Sequence, residues 1–166
     1  VRIAGLDLSI TAPGLCTPDG IAYTVKTSAK TGDRRLLAIR DAVAKAVVGA
    51  DLAVLEEAPP GLQGNAIKAL HMVQGAVRLY LLDLGMPYAV VNPTTLHLFA
   101  TGEKCNAKTA KVKMAVAALK LAGLEFEDDN ACDAWWLTQA GLAHYGLSDL
   151  SLPASQFRVL EAVVWP

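Results

Sequence analysis

Cysteine is scarce in this chain, and what there is cannot build a framework. Cys16, Cys105 and Cys132 are odd in number and share no Cys-x-x-Cys spacing. They read as buried or free thiols of a reducing compartment, not as disulfides. Histidine is equally thin: His71, His97 and His144 are scattered, with no His-Glu-x-x-His and no thiolate partners, which argues against zinc. Neither Gly-x-Ser-x-Gly nor Gly-x-x-x-x-Gly-Lys occurs, so a serine-hydrolase elbow and a Walker-type phosphate loop are not expected. Long apolar runs are missing too. The longest uncharged stretch, 84–102, is interrupted by Pro87, Asn92, Pro93, Thr94 and Thr95, whereas a membrane-spanning helix needs about 20 mostly apolar residues. Asp7 breaks the first apolar run before a signal-peptide core could form. A soluble, cytoplasmic protein with no membrane partner is the expectation.

Apolar residues make up 53% of the 166, which is too many for a disordered chain and enough for one domain over 1–166. The net charge of −1, from 15 basic and 16 acidic side chains, argues against a basic coat over the whole surface. The charge is instead segregated. Residues 101–120 carry Lys104, Lys108, Lys111, Lys113 and Lys120 against Glu103, whereas 125–133 carry Glu125, Glu127, Asp128, Asp129 and Asp133 with no base. A basic strip beside an acidic cluster suits an enzyme acting on a polyanion, and equally describes two solvated helix faces.

Hydrophobic periodicity predicts the order of elements. Residues 1–9 read as a buried strand, and 15–17 and 21–27 as two more strands, set off by Pro13-Gly14 and Pro18-Asp19-Gly20. Leu36, Leu37, Ile39, Val43 and Val47 predict a helix over 33–48 with Asp33 as its N-cap. A fourth strand over 51–57, a helix over 64–84, a fifth strand over 88–91 and helices over 93–100, 107–122 and 129–145 come next; 157–164 fits strand or helix. The expected fold is α/β: a mixed five-stranded sheet, its first three strands antiparallel and the fourth and fifth parallel to the first, flanked by helices.

Acidic residues sit where this order makes them costly. A carboxylate in a buried strand such as Asp7 must be paired, cap a turn or hold a metal. Glu56 and Glu57 end the fourth strand and point to opposite faces, so only one can share a site with Asp7. Glu56 is favoured and Glu57 is the alternate. At the start of the last long helix, Asp129 and Asp133, or Asn130 and Asp133, lie on one face. Asp128 or Asp129 suits the N-cap, which leaves Asp133 without a capping role. Carboxylate oxygens are the ligands of Mg²⁺ and Mn²⁺, and two such ions about 4 Å apart serve phosphodiester cleavage.

Gly5-Leu6-Asp7-Leu8-Ser9, then Val54-Leu55-Glu56, then Asp129-Asn130-Ala-Cys-Asp133-Ala resembles, in order and spacing, the RuvC-type Holliday junction resolvases of the RNase H-like superfamily. Gly64-Asn65-Ala66, Leu70 and Gln74-Gly75-Ala76 resemble the family's second helix, and Lys104 to Lys113 its basic segment. The resemblance covers about residues 3–142 and leans towards phage-borne members. It implies an RNase H-like sheet and a homodimeric, Mg²⁺-dependent endonuclease, with two ions per site and Mn²⁺ able to substitute. The enzyme would nick opposing strands of a four-way DNA junction in a bacterial or phage-infected cell; any branch-migration partner is unknown. Asp7, Glu56 and Asp133 carry over as metal ligands. The family's fourth acid falls on Asn130, a departure that Asp129 is expected to cover, with Asn130 itself as the alternate.

The same resemblance makes Lys108 the catalytic-region lysine. Lys104, Lys108 and Lys111, at i, i+4 and i+7 if helical, form one stripe that suits successive phosphates and equally a solvated face. The loop over 59–65 would probe the junction, with Leu62, Gln63 and Asn65 available and the family's aromatic missing. Leu70, Val73, Val77, Tyr80 and Leu81 would serve the core, the dimer, or both. Two other functions remain open: a non-catalytic branched-DNA scaffold of the same fold, and an actin-like nucleotide-binding domain. Flaps, forks and RNA–DNA hybrids are the competing substrates.

Overall fold

Residues 3–7 and 52–56 offer no polar face until their last positions, which suits strands covered on both sides. In the computed structural model, which describes residues 1–58, 61, 63–104 and 106–166, these are β1 (Ile3–Asp7) and β4 (Leu52–Glu56). With β2 (Gly14–Cys16), β3 (Ala22–Thr24) and β5 (Tyr88–Val91) they form one sheet in the order β3-β2-β1-β4-β5. The pairs β1–β2 and β2–β3 are antiparallel, and β1–β4 and β4–β5 are parallel. The predicted topology is therefore the observed one.

The helices are α1 (Arg35–Ala46), α2 (Gly64–Asp83), α3 (Pro93–Thr101), α4 (Ala107–Ala122), α5 (Asp129–His144) and α6 (Ala154–Arg158). Asp33 does not cap α1. A 3₁₀ segment, Ala29–Arg34, comes first; Ser28 Oγ accepts from the Lys30 amide, and Gly32 at φ 55° kinks the segment before α1 begins. The ambiguous tail is helical, with α6 running into a 3₁₀ turn, Val159–Ala162. It is tied down by buried Gln156, whose Nε2 donates to the Phe99 carbonyl at 2.6 Å. The lysine stripe also needs correction. Asn106 caps α4 by accepting from the Thr109 amide, so Lys104 precedes the helix and only Lys108 and Lys111 share its first turns.

Two cores sit on opposite faces of the sheet. Ala4, Leu6, Leu15, Ala53 and Leu55 pack on Ile39 and Val43 of α1 and on Val73, Val77 and Leu81 of α2. Ile3, Cys16, Leu52 and Val54 pack on the other side, against Trp135, Trp136, Phe99 and Met114. On α2, Leu70 and Tyr80 are half-buried, while Met72, Leu79 and Leu82 face outward. Helix α5 lies directly on β1 and β2. A Cβ on Gly5 would stand 2.0 Å from the Ala134 carbonyl oxygen, and one on Gly14 2.0 Å from that of Asn130. Only glycine permits this approach. Among the described residues no helix is long and apolar enough to cross a membrane.

Candidate active site

Parallel pairing sets Leu6 opposite Leu55, so the next residues, Asp7 and Glu56, end adjacent strands side by side. Alternation turns both towards α5, because Leu6 and Leu55 point into the α1–α2 core. On α5, Asp128 is the cap: its Oδ1 accepts from the Ala131 amide at 3.0 Å and from Thr24 Oγ1 at 2.6 Å. That tether to β3, with the glycine contacts beneath, fixes the rotation of α5 and directs Asn130 and Asp133 to the sheet. Asp7, Glu56, Asn130 and Asp133 then line one cleft of about 220 Å³, with Lys111 from α4 and with Ser9 and His97.

The electrostatics arise from crowding like charges out of water. Asp7 is 8% exposed and Asp133 5%. Burial, then the Asp133 charge, pushes the Asp7 carboxyl up to about 8. Burial also raises Asp133 to about 7, with Lys111 pulling the other way. Glu56 moves well above its ordinary value, first through burial and then through Asp7 and Asp133. Asp133 Oδ1 is buried and accepts no hydrogen bond among the described residues. Lys111 is the counter-charge. Burial lowers its pKa, but its hydrogen bond to Asp129 and the fields of Asp133, Asp129 and Asp7 outweigh that and raise it. The same bond, Lys111 Nζ to Asp129 Oδ2, depresses the Asp129 pKa. His97 is lowered by burial and then by Lys111.

The remaining expected residues are distributed differently. Asp129 and Lys108 line a neighbouring cavity, which Lys111 also borders. Glu57 turns to the other face, accepts from Asn92 Nδ2 at 3.3 Å, and lines a depression with His71, Gln74 and Arg78. Gln74 Nε2 donates to the Glu56 carbonyl at 3.1 Å and so holds the strand end from behind. Gln63 precedes α2 as its cap residue and Asn65 is in the first turn, both exposed. Leu62 and Cys105 lie outside the described residues. Sequence reasoning missed Ser9 and His97, and it gave Lys108 the place beside the acids that Lys111 occupies. Position i+3 on the same helix face was the available signal.

The metal expectation is overturned. Among the described residues no group of three or more His, Cys, Asp or Glu side chains could hold a metal ion. Asn130 supplies an amide where the fourth acid was expected, and Asp129 is engaged by Lys111. The described residues do not form the expected two-Mg²⁺ centre, nor one for Mn²⁺ as its substitute.

No family model and no curated protein matches the chain. Solved structures do. The Thermus thermophilus RuvC structure superposes with a TM-score of 0.69 at 23% identity, covering 87% of this chain and 96% of that one. T. thermophilus RuvC in complex with a Holliday junction substrate gives 0.70 at 22%, with the same coverage. The yeast mitochondrial Holliday junction resolvase Ydc2 gives 0.50 at 12%, covering 96% and 80%. At these identities what is shared is the fold.

Proposed function

We propose that this chain is a structure-selective endodeoxyribonuclease that recognises four-way or other branched DNA and hydrolyses its phosphodiester bonds in paired nicks. The convergence of Asp7, Glu56 and Asp133 on one cleft beside Lys111 carries the reading. It is supported by the fold shared with a RuvC in complex with a Holliday junction substrate and with a mitochondrial Holliday junction resolvase.

The residues suit acid–base chemistry at neutral pH. Carboxyls raised to about 7 and 8 exchange protons near neutrality. In this reading one ionised carboxylate of the trio takes a proton from the attacking water. A protonated neighbour returns one to the leaving oxygen as the P–O bond breaks. Lys111 offsets the charge that builds on the phosphoryl oxygens, and Asp129 positions Lys111. Lys104, Lys108, Gln63 and Asn65 contact DNA outside the cleft. Two copies associate through the outward residues Met72, Leu79 and Leu82 of α2 and so present two equivalent clefts to a junction of near two-fold symmetry.

A binding scaffold of the same fold is the second reading, favoured by the missing metal-holding group among the described residues. Incubation with an end-labelled four-way junction separates the two. The nuclease reading expects symmetric nicks from the wild type. Asp7→Asn and Asp133→Asn should bind the junction equally well yet cut about 10²–10⁴-fold more slowly. Tight binding without nicks would establish the scaffold; wild-type rates in either variant would remove the acids from the mechanism.

A further inference from the structure

The cavity beside the acidic cleft differs from it in chemistry. It encloses about 370 Å³, within the range of about 300–1,000 Å³ typical of small-molecule sites. Val112, Ala115, Phe126 and Cys132 make its wall apolar, whereas Lys108, Lys111, Asp128 and Asp129 bring charge to it. Val112 is 64% exposed, leaving a β-branched side chain open to water. Phe126 is held from behind by Trp135, with ring centroids 5.7 Å apart, so the aromatic wall is pre-positioned. Lys111 borders this cavity and the acidic cleft alike, so a group bound in one lies next to whatever occupies the other.

We infer that this cavity receives one unstacked nucleobase of the DNA strand whose phosphate enters the acidic cleft. The inference rests on the nuclease reading and adds a specificity site to it. Each part of a nucleotide meets its complement: an apolar and aromatic wall for the base plane, and lysines for its flanking phosphates. Lys108 makes no ion pair among the described residues and is free to meet the phosphate. The carboxylate of Asp129 selects the base, because it accepts hydrogen bonds and offers none. A base with an exocyclic amino group is therefore preferred over thymine.

The test uses a four-way junction carrying 2-aminopurine at successive positions around the branch point, with the full chain. Wild-type protein should raise the fluorescence at one position next to the nick, as that base leaves the stack. Ala115→Trp fills the cavity from an exposed site on α4. It should lose the rise and bind the junction about tenfold more weakly, for want of the stacked base; Val112→Phe repeats the test should the first variant misfold. Thymine at the same position should slow wild-type cutting about tenfold and leave Ala115→Trp indifferent. A full rise in both cavity variants, or no rise at any position with the wild type, overturns the base pocket. Binding and a fluorescence rise without nicks would refute the nuclease reading while leaving the pocket standing. Failure to bind the junction at all would refute both.

Discussion

The two faces of the sheet are built from different materials. Towards α1 and α2 the buried core is aliphatic, made of leucine, valine, isoleucine and alanine, and its tyrosines sit only partly buried at its margin. Towards α5 the core is aromatic and interlocked. Phe99 and Trp136 meet edge-on at 5.8 Å, Trp135 and Trp136 at 4.9 Å, and the Trp136 indole N–H donates to the Met114 carbonyl at 3.1 Å. The buried acids lie on this second side. An aliphatic core tolerates exchange of shape, because its groups are non-directional. Rings with a fixed hydrogen bond do not slide, and a cleft that crowds three carboxyls needs walls that do not yield. The difference places the directional contacts of the core on the side of the acids.

Substitutions of similar cost on the two faces should therefore part company in function. Trp136→Ala should destabilise by about 3–5 kcal/mol and Leu81→Ala by about 2–5 kcal/mol in denaturant titration. Only the tryptophan variant should also lower junction cleavage per folded molecule; equal losses from both would erase the contrast. Gly5→Ala probes the contact between layers. Its Cβ meets the Ala134 carbonyl, so a loss of about 3 kcal/mol is expected.

An effect of opposite sign is expected at the acids. The Asp7 carboxyl is raised from 3.8 to about 8, so the native state holds a proton that the unfolded chain releases above pH 4. Its unfavourable contribution is absent below about pH 4, grows as pH rises and is complete above about pH 8. Asp7→Asn should raise Tm at pH 8 by several degrees, at about 2–4 °C per kcal/mol for a chain of this size, and change it little at pH 4. A pH-independent shift would refute the crowding of charge. At the low end, Arg40 and Asp41 form an exposed pair at 2.7 Å. Arg40→Ala should cost no more than about 1 kcal/mol by the same titration.

Strand order and the acids were legible because alternation and cost work locally. Asp7 is the one polar residue among residues 3–8, and parity sends Glu56 and Glu57 to opposite faces. What was not legible depends on how elements meet. Lys108 and Lys111 are neighbours on one helical face, and which of them reaches the carboxyls is decided by the seating of α4 against α5. Spacing likewise brings acids together but cannot foresee that Lys111 engages Asp129, nor that the described acids form no group able to hold a metal ion. Asp33 looked like a cap because it precedes the apolar repeat, whereas the turn begins at Ser28. In the tail, the apolar residues of 157–164 fit strand or helix; the chain is helical over 154–162, with buried Gln156 bonded to the Phe99 carbonyl.

The hydrogen bond from Gln74 to the Glu56 carbonyl has a mechanical meaning. It runs from the middle of a 20-residue helix to the backbone of an acid whose side chain faces the opposite layer. A push on the outer surface of α2 that shifts this helix along its axis would therefore pull on the backbone of Glu56 through the Gln74 amide as well as through the shared core.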